Sequence, residues 1–106
     1  MTSPAADQGA EGALRLPESL DYAAAPDFAK TLRARRGAAL TLDAADLRQI
    51  GASCAQLLVA AARAWRVDRR ALAVSGLTDE AAAQLRLMGI DRAMITADAA
   101  ERTCAL

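Results

Sequence analysis

Residues 40–61 read LTLDAADLRQIGASCAQLLVAA, and this stretch decides the fold. Leu40, Thr41, Leu42 and Asp43 alternate apolar with polar, the two-residue period of a strand, which is expected over 38–43. Residues 44–52 read as a connection containing Asp46 and Gly51, with Leu47 and Ile50 as inward anchors. A helix is then expected from near Ser53. Cys54, Leu57, Leu58, Ala61 and Trp65 recur at helical spacing as one apolar stripe, while Gln56, Arg63 and Arg66 fall off it. The helix is expected to end by Asp68.

The flanks repeat this alternation. Towards the N-terminus, residues 13–17 (ALRLP) form a strand pattern that Pro17 stops. A helix follows over 26–37. Pro26 suits its first position and Asp27 puts an anion in its first turn. Phe28 and Leu32 share a face, Arg33, Arg35 and Arg36 crowd the last turn, and Gly37 supplies a left-handed cap. Towards the C-terminus, residues 71–75 are a third strand with Leu72 and Val74 on one side, and Gly76 turns the chain. Thr78 caps a third helix with Asp79 and Glu80 in its first turn, Leu77 and Ala82 as a hydrophobic staple, Leu85 and Met88 on the apolar face, and Gly89 at its end. Met94, Ile95 and Thr96 are expected as a short edge strand. The order predicts an α/β domain, a mixed, mostly parallel sheet of about four strands with crossover helices packed on it. That domain spans 13–96, between a flexible tail over 1–12 and a C-terminal tail over 97–106 that is a weak helix or frayed.

Composition narrows the chemistry. The chain has 106 residues, and 13 basic against 13 acidic groups give zero net charge, which argues against a nucleic-acid binder. There is no histidine, which removes the usual general base and the commonest metal ligand. Aromatic residues make up 3%, too few for base stacking. Alanine fills 29 positions, so the 54% hydrophobic content overstates the core. Stability is expected to rest on Leu40, Leu42, Ile50, Leu57, Leu58, Leu72, Val74 and Leu85. Cys54 and Cys104 are too few for a disulfide scaffold and fit a reduced, cytoplasmic setting. No apolar run spans a bilayer, and residues 1–12 carry Asp7 and Glu11 rather than a signal-peptide pattern.

Catalytic constellations are absent. Asp43 and Asp46 are a carboxylate pair that could do acid–base work, but two acids three apart in a connecting loop read as a strand-end cap and a turn residue. The glycines after the N-terminal segment are isolated, no cysteine pair has metal-ligand spacing, and a cysteine nucleophile would lack a base. Neither an enzyme, a cofactor nor a metal is expected. Ser53 stands out because it sits where a loop after a strand becomes a helix. A phosphate there would meet free N–H groups and add about −1.5 to −2 charges to a nearly neutral surface. The plainer reading is an N-cap serine worth about 1 kcal/mol. Trp65 reads as core, with an interface anchor as the alternative, and Cys54 as a small buried helix residue rather than a redox sensor. Arg33, Arg35, Arg36, Arg66, Arg69 and Arg70 read as solvated helix-end charges, or else as a patch for an acidic partner.

Residues 40–61 resemble the signature stretch of STAS domains, the sulphate-transporter and anti-sigma-factor-antagonist fold. In that family a strand ending in Asp leads through a hydrophobic–x–x–hydrophobic turn to an Asp-Ser-Ser-Gly-like motif that opens an apolar helix. Here these are LTLD, Leu47 with Ile50, and the helix beginning at Ser53. The similarity continues through AAARAW (60–65), ALAV (71–74) and AQLRLMGI (83–90) and covers roughly 14–90. It places Ser53 at the family's phosphorylatable serine and Asp43 at its strand-end acid. The chain departs from the motif at Gly51, Ala52 and Cys54, which stand for its Asp, first Ser and Gly. The resemblance implies a small stand-alone bacterial signalling protein that is no enzyme. It would bind an anti-sigma, serine-kinase or chemotaxis-type partner through Asp43, Gly51, Ala52, Ser53, Cys54 and Gln56, with Ser53 phosphorylation as candidate control. The alternative it implies is a cytoplasmic STAS subunit of a membrane transport complex, acting as a constitutive adaptor. Neither reading involves nucleic acid or insertion into a membrane.

Overall fold

A computed structural model describes residues 12–98. Along the chain run β1 (Ala13–Arg15), β2 (Ser19–Leu20), α1 (Ala25–Ala34), β3 (Leu40–Asp43), β4 (Gln49–Ile50), α2 (Ala52–Asp68), β5 (Leu72–Ser75) and α3 (Asp79–Leu87). Short 3-10 turns lie at Tyr22–Ala24 and Arg92–Ile95. The main sheet has the order β1-β3-β5 and is entirely parallel, with Leu14 beside Leu42 and Leu42 beside Val74. A second parallel pair, β2 with β4, aligns Leu20 with Ile50. The mixed α/β, mostly parallel architecture is the one the alternation of patterns predicts.

The alternation within each strand decides what is covered. Leu40, Leu42, Leu72 and Val74 are buried on one face of the sheet. The opposite row, Ala13, Arg15, Thr41, Asp43, Ala73 and Ser75, is half-buried or exposed. Phe28 and Leu32 of α1, Cys54, Leu58, Ala61 and Trp65 of α2, and Ala81 and Leu85 of α3 pack into the same core. Trp65 is 1% exposed and its indole Nε1 donates to the Ala38 carbonyl at 2.9 Å. That bond satisfies the one polar atom of the largest core side chain. Leu57, expected in the core, is only half-buried, because the inward stripe of α2 is centred on Ala55, Leu58 and Ala62.

Several elements differ from the sequence reading. The segment over 44–52 contains β4, whose two residues are too few to show a period. The α1 helix begins at Ala25, after a 3-10 turn capped by Asp21, whose Oδ1 accepts the Ala24 N–H at 3.1 Å. Residues 94–96 do not form an edge strand. The Asp91 carboxylate accepts the Met94 N–H at 3.2 Å and tightens the chain into a 3-10 turn. The backbone of this segment then pairs with β5 at Ala97 alone, in a single antiparallel bridge to Leu72, while the Arg92 side chain donates to the Val74 carbonyl. The expected tails fall mainly on residues 1–11 and 99–106, outside the described residues. Gly12 has φ +75°, and a Cβ there would sit 2.9 Å from the Ala39 carbonyl oxygen, so this entry to β1 requires glycine.

Candidate functional site

The connection from β3 to α2 lies at the sheet edge where strands end and helices begin. Asp43 turns its carboxylate back onto this loop, Oδ1 accepting the Ala45 N–H at 3.0 Å. The Ala44 N–H reaches the Ser75 carbonyl at 2.7 Å, and Leu47 is buried as the first anchor. The Thr78 hydroxyl donates to the Leu47 carbonyl at 2.7 Å and accepts the Ala81 N–H at 3.2 Å, capping α3 and holding the loop together. Gln84 of α3 clasps β4 on both sides. Its Oε1 accepts the Ile50 N–H at 2.8 Å and its Nε2 donates to the Arg48 carbonyl at 2.8 Å. The Gly51 N–H then reaches the Leu20 carbonyl at 2.9 Å, and α2 begins.

The cap of α2 is Gly51, in extended backbone and without a side-chain cap bond. Ser53, expected at the helix boundary, is instead the second residue of the helix. The reason is geometric: the Gly51 carbonyl already accepts the Ala55 N–H at 2.9 Å, so the first turn closes before Ser53 is reached. Ser53 is half-buried and its hydroxyl has no hydrogen-bond partner among the described residues. Ala52 and Gln56 are exposed. Cys54 is fully buried, its Sγ 3.5 Å from the Asp21 carbonyl, and burial followed by the Asp21 charge pushes its thiol pKa up. Cys54 therefore supports this surface from beneath. Gly51, Ala52, Ser53 and Gln56 share the cap and first turns of α2, whereas Asp43 belongs to the preceding strand end and serves its own loop.

One residue of this surface escaped the sequence reading. Tyr22 is 82% exposed, and its backbone nitrogen lies 3.9 Å from where a Cβ on Gly51 would stand. An exposed aromatic beside a helix start is the kind of group that anchors protein interfaces. Its signal was slight: it is the single tyrosine, in a run of small residues that shows no periodicity.

Charge is strongly polarised despite its zero sum. The strand ends and helix starts on this side of the sheet carry Asp21 at the 3-10 cap, Asp27 in the first turn of α1, Asp43 at the end of β3, and Asp79 and Glu80 in the first turn of α3. Arg15 pairs with Asp46 at 3.2 Å and Arg48 with Glu80 at 3.1 Å. This rim is thus acidic, although the first turn of α2 itself carries no acid. The opposite ends of α1 and α2 are basic and joined by Arg36 and Asp68 at 2.8 Å. That contact, chiefly its hydrogen bond, holds the Asp68 carboxyl below its ordinary range. Among the described residues no group of His, Cys, Asp or Glu is placed to hold a metal.

Compared with known protein families, residues 4–96 match the family model described as "Mlab, STAS domain". No curated protein and no solved structure gives a match.

Proposed function

The chain belongs to the STAS domain family, whose members mediate protein–protein interactions, and from that premise we propose that the start of α2 is its docking surface. Tyr22, Ala52, Ser53 and Gln56 form the contact, while Gly51, Cys54 and Asp43 shape the turn beneath it. The observation that carries this reading is the exposed Tyr22, whose backbone lies against the Gly51 cap, beside a helix start tied down by Gln84 at Ile50 and by the Leu20 carbonyl at Gly51. The protein works by binding, without catalysis, in a bacterial cytoplasm. Its partner is a signalling protein of the anti-sigma, serine-kinase or chemotaxis type. A phosphate on Ser53 would add charge to an end that is already acidic, and would weaken the contact by repulsion and desolvation. The test is a pull-down with the products of neighbouring signalling genes. Tyr22→Ala and Ser53→Asp are expected to reduce capture and Ser53→Ala to leave it intact. Unchanged capture by Tyr22→Ala and Ser53→Asp alike would remove this surface from the contact.

A second reading is favoured by the bare Gly51 cap, where the family motif has Asp. In it the domain is a constitutive STAS adaptor of a membrane transport complex. Intact-mass measurement on protein from its own host separates the two: a phosphorylated fraction supports the switch, and an unmodified chain co-purifying with transporter subunits supports the adaptor.

A further inference from the structure

The C-terminal halves of α1 and α2 concentrate charge of one sign. Residues 30–36 (KTLRARR) and 63–70 (RAWRVDRR) together hold eight cations and a single acid, Asp68. Four of the cations have work inside the fold. Arg35 donates to the Ala13 carbonyl, Arg36 to Asp68, Arg66 to the Ala93 and Thr96 carbonyls, and Arg70 to the Gly37 carbonyl. Arg33, Arg63 and Arg69 are exposed, and their guanidinium groups have no partner among the described residues. Arg69 moreover sits at φ 62°, ψ 41°, the left-handed position after a helix that glycine ordinarily fills. An arginine there costs stability relative to glycine, so its charge is held at a backbone expense.

The same face is partly apolar. Val67 is 76% exposed between Arg66 and Asp68, four residues beyond Arg63 on the outward side of α2. Arg33 and Arg36 border a groove of about 170 Å³ floored by Leu57, Ala60, Ala64 and Trp65. Cations ringing a shallow apolar surface match the chemistry of a bilayer interface, where anionic headgroups lie above acyl chains. Nucleic acid suits this face less well, for it offers no exposed aromatic to stack on a base.

We propose that the exposed C-terminal halves of α1 and α2 dock on an anionic lipid bilayer. Lys30, Arg33, Arg63 and Arg69 engage lipid phosphates, and Val67 settles among the headgroups. The opposite end of the molecule is acidic and is repelled by the same bilayer. Electrostatics therefore fixes the orientation, with Ser53 and Tyr22 turned away from the membrane. The inference stands on the basic face alone and survives if the Ser53 surface binds nothing.

The test is co-sedimentation of the full chain with phosphatidylcholine vesicles carrying about 30 mol% phosphatidylglycerol, against phosphatidylcholine alone. Binding is expected to the anionic vesicles only, and to be lost on raising salt from about 0.05 M to about 0.5 M. Arg33→Glu with Arg63→Glu is expected to weaken it at least about tenfold, while lysine at both positions preserves it. Val67→Asp is expected to weaken it as well. Arg69→Gly separates binding from folding, with a more stable chain expected to bind more weakly. Failure to bind anionic vesicles at low salt overturns the proposal, as does binding indifferent to the Arg33 and Arg63 reversals. Equal affinity for a DNA duplex, with no effect at Val67, also overturns it, since the face would then be a general polyanion site.

Discussion

Gln84 holds Ile50 as a neighbouring strand would. Its amide oxygen accepts the Ile50 N–H at 2.8 Å, and its amide nitrogen returns a bond to the Arg48 carbonyl at the same length. A side chain from α3 thus completes the backbone pairing of β4, one residue before the cap of α2. Gln84→Leu strips both bonds and leaves the part-buried Ile50 N–H unpaired, at an expected cost of about 1–3 kcal/mol. The measurement is urea unfolding together with hydrogen exchange at the Ile50 amide. Unchanged protection at Ile50 would show that the clasp contributes nothing.

Trp65 is the single tryptophan, so its fluorescence reports the core directly. Trp65→Phe removes the bond to the Ala38 carbonyl and some volume, for an expected loss of about 2 kcal/mol. Trp65→Ala is expected to cost about 3–5 kcal/mol, a large part of the stability of a domain this size. Circular dichroism during urea titration reads both.

The Arg36–Asp68 contact sets a pH dependence. The hydrogen bond from Arg36 lowers the folded pKa of Asp68 below its unfolded value of about 3.9. The stabilisation is therefore present above that value and is lost as pH falls through the lower, folded one. Asp68→Asn is expected to flatten this part of the acid limb while leaving the neutral-pH fold intact, as followed by thermal melts from pH 7 downwards.

Cys54 is buried, with its thiol pKa raised by that burial. Iodoacetamide at neutral pH is expected to modify it at least about tenfold more slowly in the folded chain than in urea. Peptide mapping distinguishes it from Cys104. Equal rates would mean that the first turn of α2 opens readily.

Gly51→Asp restores the acid of the family motif. The backbone at Gly51 is extended, and a Cβ would lie no closer than 3.7 Å to the Leu20 carbonyl oxygen, so the side chain fits. A capping carboxylate is expected to add a few tenths of a kcal/mol, visible as a small rise in Tm. A fall in Tm would mean that the surrounding acids outweigh the cap.

Where the local signals agreed, the fold was legible. Leu40 and Leu42 marked β3, Thr78 with Asp79 and Glu80 marked the start of α3, and the order of elements pointed to a parallel sheet. The sequence puts the start of α2 near Ser53, within one residue of where it lies, but the offset of Ser53 from the cap is not legible. A glycine can cap through its backbone alone and leaves no side-chain signature. β2 and β4 escaped because two residues carry no period. Tyr22 escaped for a similar reason: the Asp21-capped turn that presents it is local, but three residues are too few to show a helical period. The charge polarity was hidden by addition, since 13 positive and 13 negative groups sum to zero wherever they stand.

That polarity has its origin in the parallel sheet. When every strand runs the same way and each crossover is a helix, all helix beginnings share one rim and all helix endings the other. Acids favoured at helix starts and arginines favoured at helix ends, each chosen for a neighbour a few ångströms away, therefore accumulate on opposite rims. A preference acting over one turn becomes an electrical axis as long as the molecule. The side chains set this axis against the aligned peptide dipoles, whose positive ends lie on the acidic rim. Reordering the chain by circular permutation would leave the axis in place, because it belongs to the direction of the strands and not to their sequence.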